Sequence, residues 1–272
     1  MNSRPIGIFD SGLGGLTVLS AVRKLLPHED LIYFGDSGRA PYGTKSKETI
    51  VKYTYQDINF LIKQDVKMII IACNTASACS MPEAQKGYDV PIIEVIGPGA
   101  RAAVKSTRTG RIGVIGTPAT VGSGVYAAAI EKLLPDCHCL QKACPLFVPI
   151  VEEGWWDTDI AALTAEKYLG EMRTAGVDSL VLGCTHYPLL SNVIQNTMGK
   201  DVRLINSAEE VAMAAKGRLT EDQGFNTKTE PGTTRFYTSD SVEKFTQLAG
   251  MFLDMDVENV ARVEIYKERE EP

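Results

Sequence analysis

The chain has 272 residues, 44% of them hydrophobic and 23% charged, with a formal net charge of -6. That is an ordinary globular composition for one or two domains, and its acidic balance gives no general attraction for nucleic acid or an anionic membrane. No apolar run approaches the ~20 residues that a membrane span requires. Six cysteines, at 73, 79, 137, 139, 144 and 184, are too few over this length for a disulfide framework. Met1-Asn2-Ser3-Arg4-Pro5 runs straight into a strand-like stretch without a signal-peptide pattern, so a cytoplasmic protein with reduced thiols is expected.

Strand and helix patterns alternate from the start. Residues 5–9 read as a buried strand and 15–26 as a helix ended by Pro27. A strand at 31–35, a helix at 47–63, a strand at 67–72 and a helix at 77–85 follow, then a strand at 91–96 and a helix from Gly99. The strands are short apolar runs without polar alternation, the mark of a parallel sheet covered on both faces. The pattern then restarts. Arg111-Ile112-Gly113-Val114-Ile115-Gly116-Thr117 echoes Pro5-Ile6-Gly7-Ile8-Phe9-Asp10-Ser11 at an offset of 106. The run ending in Cys73-Asn74-Thr75 is repeated by the run ending in Cys184-Thr185-His186, 111 residues later. Residues 202–205, leading into a helix from Ala208, echo 91–96 at about 110. Three similar offsets in the same order give two homologous α/β halves, and no Pro-, Gly- or Ser-rich linker divides them. In the tail, 235–238 and 260–266 read as strands and 242–252 as a helix, expected to pack back on the first half. Residues 267–272 are charged and expected to fray.

In open α/β sheets, ligands collect beyond the carboxyl ends of the strands. Asp10-Ser11, Asp36-Ser37, Cys73-Asn74-Thr75, Gly116-Thr117 and Cys184-Thr185-His186 stand there, so two halves facing each other through these edges would enclose one cleft. Cys73 and Cys184 fall where a strand gives way to a helix, where backbone N–H groups favour a thiolate. A lone cysteine in such a place reads as a small buried hydrophobe. A pair at equivalent positions reads as two opposed acid/base groups, which is what inversion of a carbon stereocentre requires. No C-x-x-C spacing supports a redox dithiol.

Gly12-Leu13-Gly14-Gly15 superficially resembles a dinucleotide loop, with Asp36 where a ribose-binding acid would stand. Its third glycine position is Thr17, however, and it opens with the carboxylate of Asp10, so it reads as a nest of N–H donors suited to a zwitterion. Pro41-Tyr42-Gly43 forms a turn in loop territory where ligand contacts are common. Asn74, Thr75, Thr117, Thr120 and Thr185 are neutral donors, and the two cysteine motifs contain no Lys or Arg, so a bound carboxylate would be read by amides and hydroxyls. His186 is either a helix-capping residue or a partner of Cys184. Glu152 follows a proline-containing apolar run that would turn its carboxylate inward, although spacing alone leaves it a surface acid. Trp155-Trp156 suggests a lid or an interface. Cys137-His138-Cys139 looks like a metal cluster only superficially, because strand alternation sends the two thiols one way and the imidazole the other; no metal is expected.

With these residues assembled, the chain resembles the glutamate racemases of the cofactor-independent aspartate/glutamate racemase family. The resemblance spans almost the whole length. It rests on Gly7-Ile8-Phe9-Asp10-Ser11-Gly12, Gly35-Asp36-Ser37, Pro41-Tyr42-Gly43, Ala72-Cys73-Asn74-Thr75, Pro98-Gly99-Ala100, Gly113-Val114-Ile115-Gly116-Thr117, Val148-Pro149 with Glu152, and Gly183-Cys184-Thr185-His186-Tyr187-Pro188. It implies two similar parallel-sheet α/β domains related by pseudo-two-fold symmetry across a central cleft, residues 1–97 plus 208–272 forming one and 98–207 the other, inserted in it. It implies interconversion of L- and D-glutamate without a cofactor, supplying peptidoglycan synthesis and hence cell-wall biogenesis and cell shape. By the same resemblance Cys73 and Cys184 are the two bases, Asp10 and His186 assist them, and Glu152 is a further acid. Asp10, Ser11, Pro41, Tyr42, Gly43, Asn74, Thr75, Thr117, Thr120, Thr185 and His186 would hold substrate, and a homodimer is expected. An aspartate racemase and a two-lobed binding protein are the rival readings; the paired thiols argue against a pure binder.

Overall fold

The computed structural model of the chain describes residues 2–253 and 257–270. The first half runs β1 (Ile6–Asp10), α1 (Leu16–Leu25), β2 (Leu31–Gly35), α2 (Lys47–Lys63), β3 (Met68–Ile71), α3 (Asn74–Ser80), α4 (Glu83–Lys86) and β4 (Ile92–Glu94). After α5 (Ile96–Ser106) come β5 (Arg111–Gly116), α6 (Pro118–Gly122), α7 (Val125–Leu133), β6 (His138–Ala143), α8 (Phe147–Glu152) and α9 (Asp159–Thr174). They are followed by β7 (Ser179–Gly183), α10 (Ser191–Met198) and β8 (Arg203–Ile205). The chain then continues through α11 (Ser207–Glu221), β9 (Thr234–Thr238), α12 (Val242–Phe252) and β10 (Val260–Arg262). Every residue of β1, β2, β3 and β7 is buried, as parallel strands are when crossover helices cover both faces. No helix among the described residues is long and apolar enough to cross a membrane.

Two parallel sheets result. The first has the order β10-β9-β2-β1-β3-β4 and the second β6-β5-β7-β8. The inner order β2-β1-β3-β4 therefore recurs as β6-β5-β7-β8, with the two cysteine strands, β3 and β7, in matching places. In the first sheet Ile6 lies across from Leu31 and Met68; in the second, Ile112 lies across from Cys139 and Ser179. The tail joins the first sheet as expected, β9 pairing with β2. One core cluster contains Ile8 and Ile70 of the first sheet, Val114 and Val181 of the second, and Ala100 and Val211 from α5 and α11. These two helices are thus shared packing between the sheets, which is why no linker was visible. The boundaries read from sequence, 97/98 and 207/208, fall in their first turns.

Several elements differ from the sequence reading. The single helix at 77–85 is two, α3 and α4, because Pro82 supplies no N–H and biases Met81 to an extended conformation, φ -88° and ψ 146°. The strand at 91–96 ends at Glu94 and α5 begins at Ile96 rather than Gly99. The Glu94 carboxylate accepts from the N–H groups of Ile96 and of Gly97, the latter at 2.9 Å, and Pro98 is tolerated in a first turn. The 260–266 strand stops at Arg262, and a 3₁₀ turn at Ile265–Lys267 buries Ile265. Residues 267–270 lie against α2 rather than standing free of it. Gln56 Nε2 donates to the Glu268 carbonyl at 3.2 Å, and Lys63 and Lys52 pair with Glu268 and Glu270 at 2.7 and 2.6 Å, docking the segment on α2. Glu271 and Pro272 lie outside the described residues.

At the opposite end of the first sheet from the strand-end loops, Lys67 Nζ reaches Glu29 at 2.6 Å with both side chains almost fully buried. Lys67 also donates to the carbonyls of Asn2 and Gly224 at 2.7 and 2.8 Å. Lys67→Met leaves a buried carboxylate without its cation, and breaking such a pair costs about 3–5 kcal/mol. Urea unfolding read at its midpoint tests this; an unchanged midpoint would contradict it.

Candidate active site

Each strand end contributes local chemistry for a physical reason. Cys73 is the N-cap of α3, its Sγ accepting the Ala76 N–H at 3.5 Å, and the thiol donates to Ser11 Oγ at 3.5 Å. Thr117 caps α6, its hydroxyl accepting from the Thr120 N–H at 3.2 Å. Thr75, Thr117 and Thr120 form a closed hydroxyl triad, 2.9 to 3.2 Å apart, joining α3 to the second sheet. Cys184 Sγ lies 3.9 Å from His186 Nδ1, whose ring reaches Glu152 Oε1 through Nε2 at 3.5 Å. Thr185 Oγ1 donates to Asp10 Oδ1 at 3.3 Å across the halves.

One narrow cavity collects nearly the whole set: Ser11, Pro41, Tyr42, Gly43, Cys73, Asn74, Thr75, Thr117, Glu152, Cys184, Thr185 and His186 all line it, together with Gly12, Ala40 and Val148. Asp10 and Thr120 stand one layer behind, holding Thr185 and Thr117. The cavity volume is about 20 Å³, room for roughly one water and too little for an amino acid. A second cavity of about 140 Å³ adjoins it, sharing Gly12, Ala40, Pro41 and Glu152 and bounded by Lys244 and Phe245 of α12. The same helix sets Phe252 edge-on to His186, 6.0 Å between ring centroids.

Some sequence expectations are corrected in detail. Asp36 faces away from the cleft: it accepts from Arg39 Nε at 2.6 Å, from Ser239 Oγ at 2.7 Å and from the Tyr42 hydroxyl. Asp57 Oδ2 lies 2.9 Å from the same hydroxyl, which is thus held between two carboxyl groups and away from any ligand. Burial pushes both Asp36 and Asp57 upward, Asp36 raising Asp57 further while Arg39 opposes both shifts. Asp57 was not legible as part of this support because it reads as one polar residue in an amphipathic helix. The glycine loop is no open nest: the Gly12 N–H goes to Asp10 Oδ2 at 3.1 Å and Tyr33 Oη donates to the Gly12 carbonyl at 2.8 Å. Trp155 and Trp156 do not line the cavity. Val148 was missed as a lining residue, since nothing in an apolar run marks which member faces a cleft.

The electrostatics are unequal on the two sides. Burial, with Asp10 adding to it, pushes the Cys73 thiol up to about 12. Burial also raises Asp10, against the opposing pull of His186 and the N–H groups of Gly15 and Gly12. Burial opposes the charge of His186, yet Cys184, Glu152 and Asp10 together bring it up to about 10. Glu152 is lowered, chiefly by its hydrogen bond to His186. An imidazole raised in the folded state stabilises the fold fully below its unfolded value of about 6.5, and that contribution is lost as pH rises through about 10. The unfolding midpoint should therefore fall between pH 7 and 10, and fall less in His186→Asn; parallel curves for the two proteins would refute the assignment.

The strand-edge cleft thus takes one thiol from each of two repeated parallel sheets. The sequence profile of the Asp/Glu/Hydantoin racemase family matches residues 16–215. The chain belongs to that family and is a racemase. A glutamate racemase from Geobacter metallireducens is 48% identical over 98% of this chain and 99% of its own length. Among solved structures, a glutamate racemase from Francisella tularensis in complex with D-glutamate superposes with a TM-score of 0.92 at 40% identity, covering 97% of this chain and 99% of that one. A glutamate racemase isoform from Bacillus anthracis gives 0.93 at 37% identity over 97% and 98%.

Proposed function

We propose that the protein interconverts L- and D-glutamate by two-base chemistry at Cys73 and Cys184. The observation that carries this reading is the opening of both thiols, from the ends of the equivalent strands β3 and β7, into one cavity whose wall also carries Asn74, Thr75, Thr117 and Thr185. The names of the relatives support glutamate as the substrate. One cysteine, as thiolate, takes the proton from Cα. The electrons pass into the adjacent carboxylate, and the other cysteine, as thiol, delivers its proton to the opposite face. The product is the enantiomer, and the two sulfurs have exchanged protonation states.

The site's asymmetry supports Cys73 as the resting thiol, since burial and Asp10 hold its proton. The His186 imidazolium, backed by Glu152, places a positive charge beside Cys184. Asp10 would assist on the Cys73 side and His186 on the Cys184 side. Asn74 is the side-chain donor for a substrate carboxylate, with Thr75, Thr117 and Thr185 lining the wall beside it, Thr120 supporting Thr117, and Ser11, Pro41, Tyr42 and Gly43 completing the wall. Fixed donors aimed at developing charge contribute a few kcal/mol each in such a site, and holding the reactants in place contributes about 7–11 kcal/mol. The recurrence of one strand order in two separate sheets supports dividing the chain into 1–97 plus 208–272 and 98–207, halves that part for substrate. A cytoplasmic homodimer supplying D-glutamate to peptidoglycan completes the proposal.

The test is a proton NMR and circular dichroism time course with L-glutamate in D₂O, with chelator present and no cofactor added. Loss of the α-proton signal together with decay of the dichroism to zero is expected. Persistence of both signals, with the thiols verified as reduced, would overturn the reading; activity on L-aspartate alone would redirect it.

A further inference from the structure

The wall of the cavity holds a donor that no described residue satisfies. Asn74 Nδ2 is buried and makes no hydrogen bond, in a residue that lines the cavity next to Cys73. Buried polar groups are almost always paired, and an unpaired one at a site calls for the group that completes it. The amide itself is held firmly: Tyr126 Oη donates to Asn74 Oδ1 at 2.7 Å. Tyr126 belongs to α7, between two strands of the second sheet, whereas Asn74 opens α3 of the first. The tyrosine is fully buried and sits in a slot kept open by two glycines. A Cβ on Gly99 of α5 would stand 3.2 Å from Tyr126 Oη, and one on Gly183, the residue before Cys184, 3.3 Å from its Cε2. One side chain thus packs under the Cys184 motif and hydrogen-bonds the residue beside Cys73.

We infer that Tyr126 is a positioning residue that fixes the edge which Asn74 presents to substrate. A phenol has one proton to give. Donated to Oδ1, that proton leaves both amide hydrogens of Nδ2 for a carboxylate oxygen; the reversed amide would present an acceptor to the same oxygen and repel it. The bond joins α7 of the second half to α3 of the first, so it ties the carboxylate-reading amide of one half to the packing of the other. This inference rests on the proposed glutamate reading.

The experiment is a double-mutant cycle of Tyr126→Phe and Asn74→Ala, with wild-type racemisation measured alongside and thermal unfolding followed for each variant. Tyr126→Phe keeps the ring in its slot and removes only the hydroxyl. It should raise KM for L-glutamate roughly five- to tenfold, the size of one modest hydrogen bond, with kcat within about threefold of wild type. In the Asn74→Ala background the same change should cost less than about twofold, because the group it acts through is gone. A Tyr126→Phe variant with wild-type KM overturns the assignment. So does a loss that persists at full size in the Asn74→Ala background, which is what general loosening of the core would give. An active wild type beside either result overturns the Tyr126 role alone; an inactive wild type overturns the glutamate reading and this inference together.

Discussion

Cys73→Ala and Cys184→Ala should each lose at least about 10³-fold in racemisation, in line with the 10²–10⁴-fold contributed by one positioned proton-transfer group. Loss of either thiol leaves one face of Cα without an acid or base, so a proton can be removed or returned on one side only. Each substitution removes a single sulfur from a nearly full site, and Cys73 and Cys184 belong to separate core clusters. Both variants should therefore fold, and far-UV dichroism together with the unfolding midpoint separates lost chemistry from lost structure. The assay is decay of the glutamate dichroism from both the L and the D side. Near-wild-type turnover by either variant would falsify the two-base assignment. The Cys73 thiol, held up at about 12 by burial and Asp10, also predicts slow alkylation in the free protein at neutral pH, since the thiolate is the nucleophile.

Gly14→Ala should lose about 10²-fold in kcat, the cost of displacing reacting groups by around an ångström, while far-UV dichroism stays that of wild type. A Cβ at Gly14 would overlap Thr185 Oγ1 and come within 2.8 Å of His186 Nδ1. Neither neighbour yields cheaply, because Thr185 is bonded to Asp10 and His186 is held between Cys184 and Glu152. The methyl group would therefore keep the glycine loop of the first half from seating on the Cys184 motif of the second. Gly43 makes the same kind of approach to Thr117, so Gly43→Ala should show the same pattern: an intact fold with impaired closure. Wild-type kcat in Gly14→Ala would mean that the site works without this close contact.

Much of the architecture lies in short-range pattern. Ile6–Asp10 and Ser179–Gly183 are buried along their whole length, and an uninterrupted apolar run bounded by turn residues is enough to mark such strands. The duplication is legible for the same reason, since equivalent strands repeat their apolar runs and their terminal residues. The break at Pro82 was also written in the chain, as proline chemistry, but an apparently continuous helical pattern concealed it. The early start of α5 was harder to see, because Glu94 had to be recognised as a cap acting from the end of a strand.

By itself, the sequence determined two repeated parallel sheets, the edge from which their reactive side chains leave, and the pairing of Cys73 with Cys184 by position. Those properties follow from neighbours a few residues apart, where backbone geometry fixes which way a side chain points. Only the tertiary structure decided that Tyr126 holds Asn74, that Asp57 and Asp36 grip Tyr42, that Glu152 backs His186, and that α12 covers the cleft. Each of these depends on groups brought together by packing, and periodicity names the buried face of an element without naming what it is buried against. The narrowness of the cavity was equally beyond the sequence, because it is a property of how the two sheets close on each other around α5 and α11.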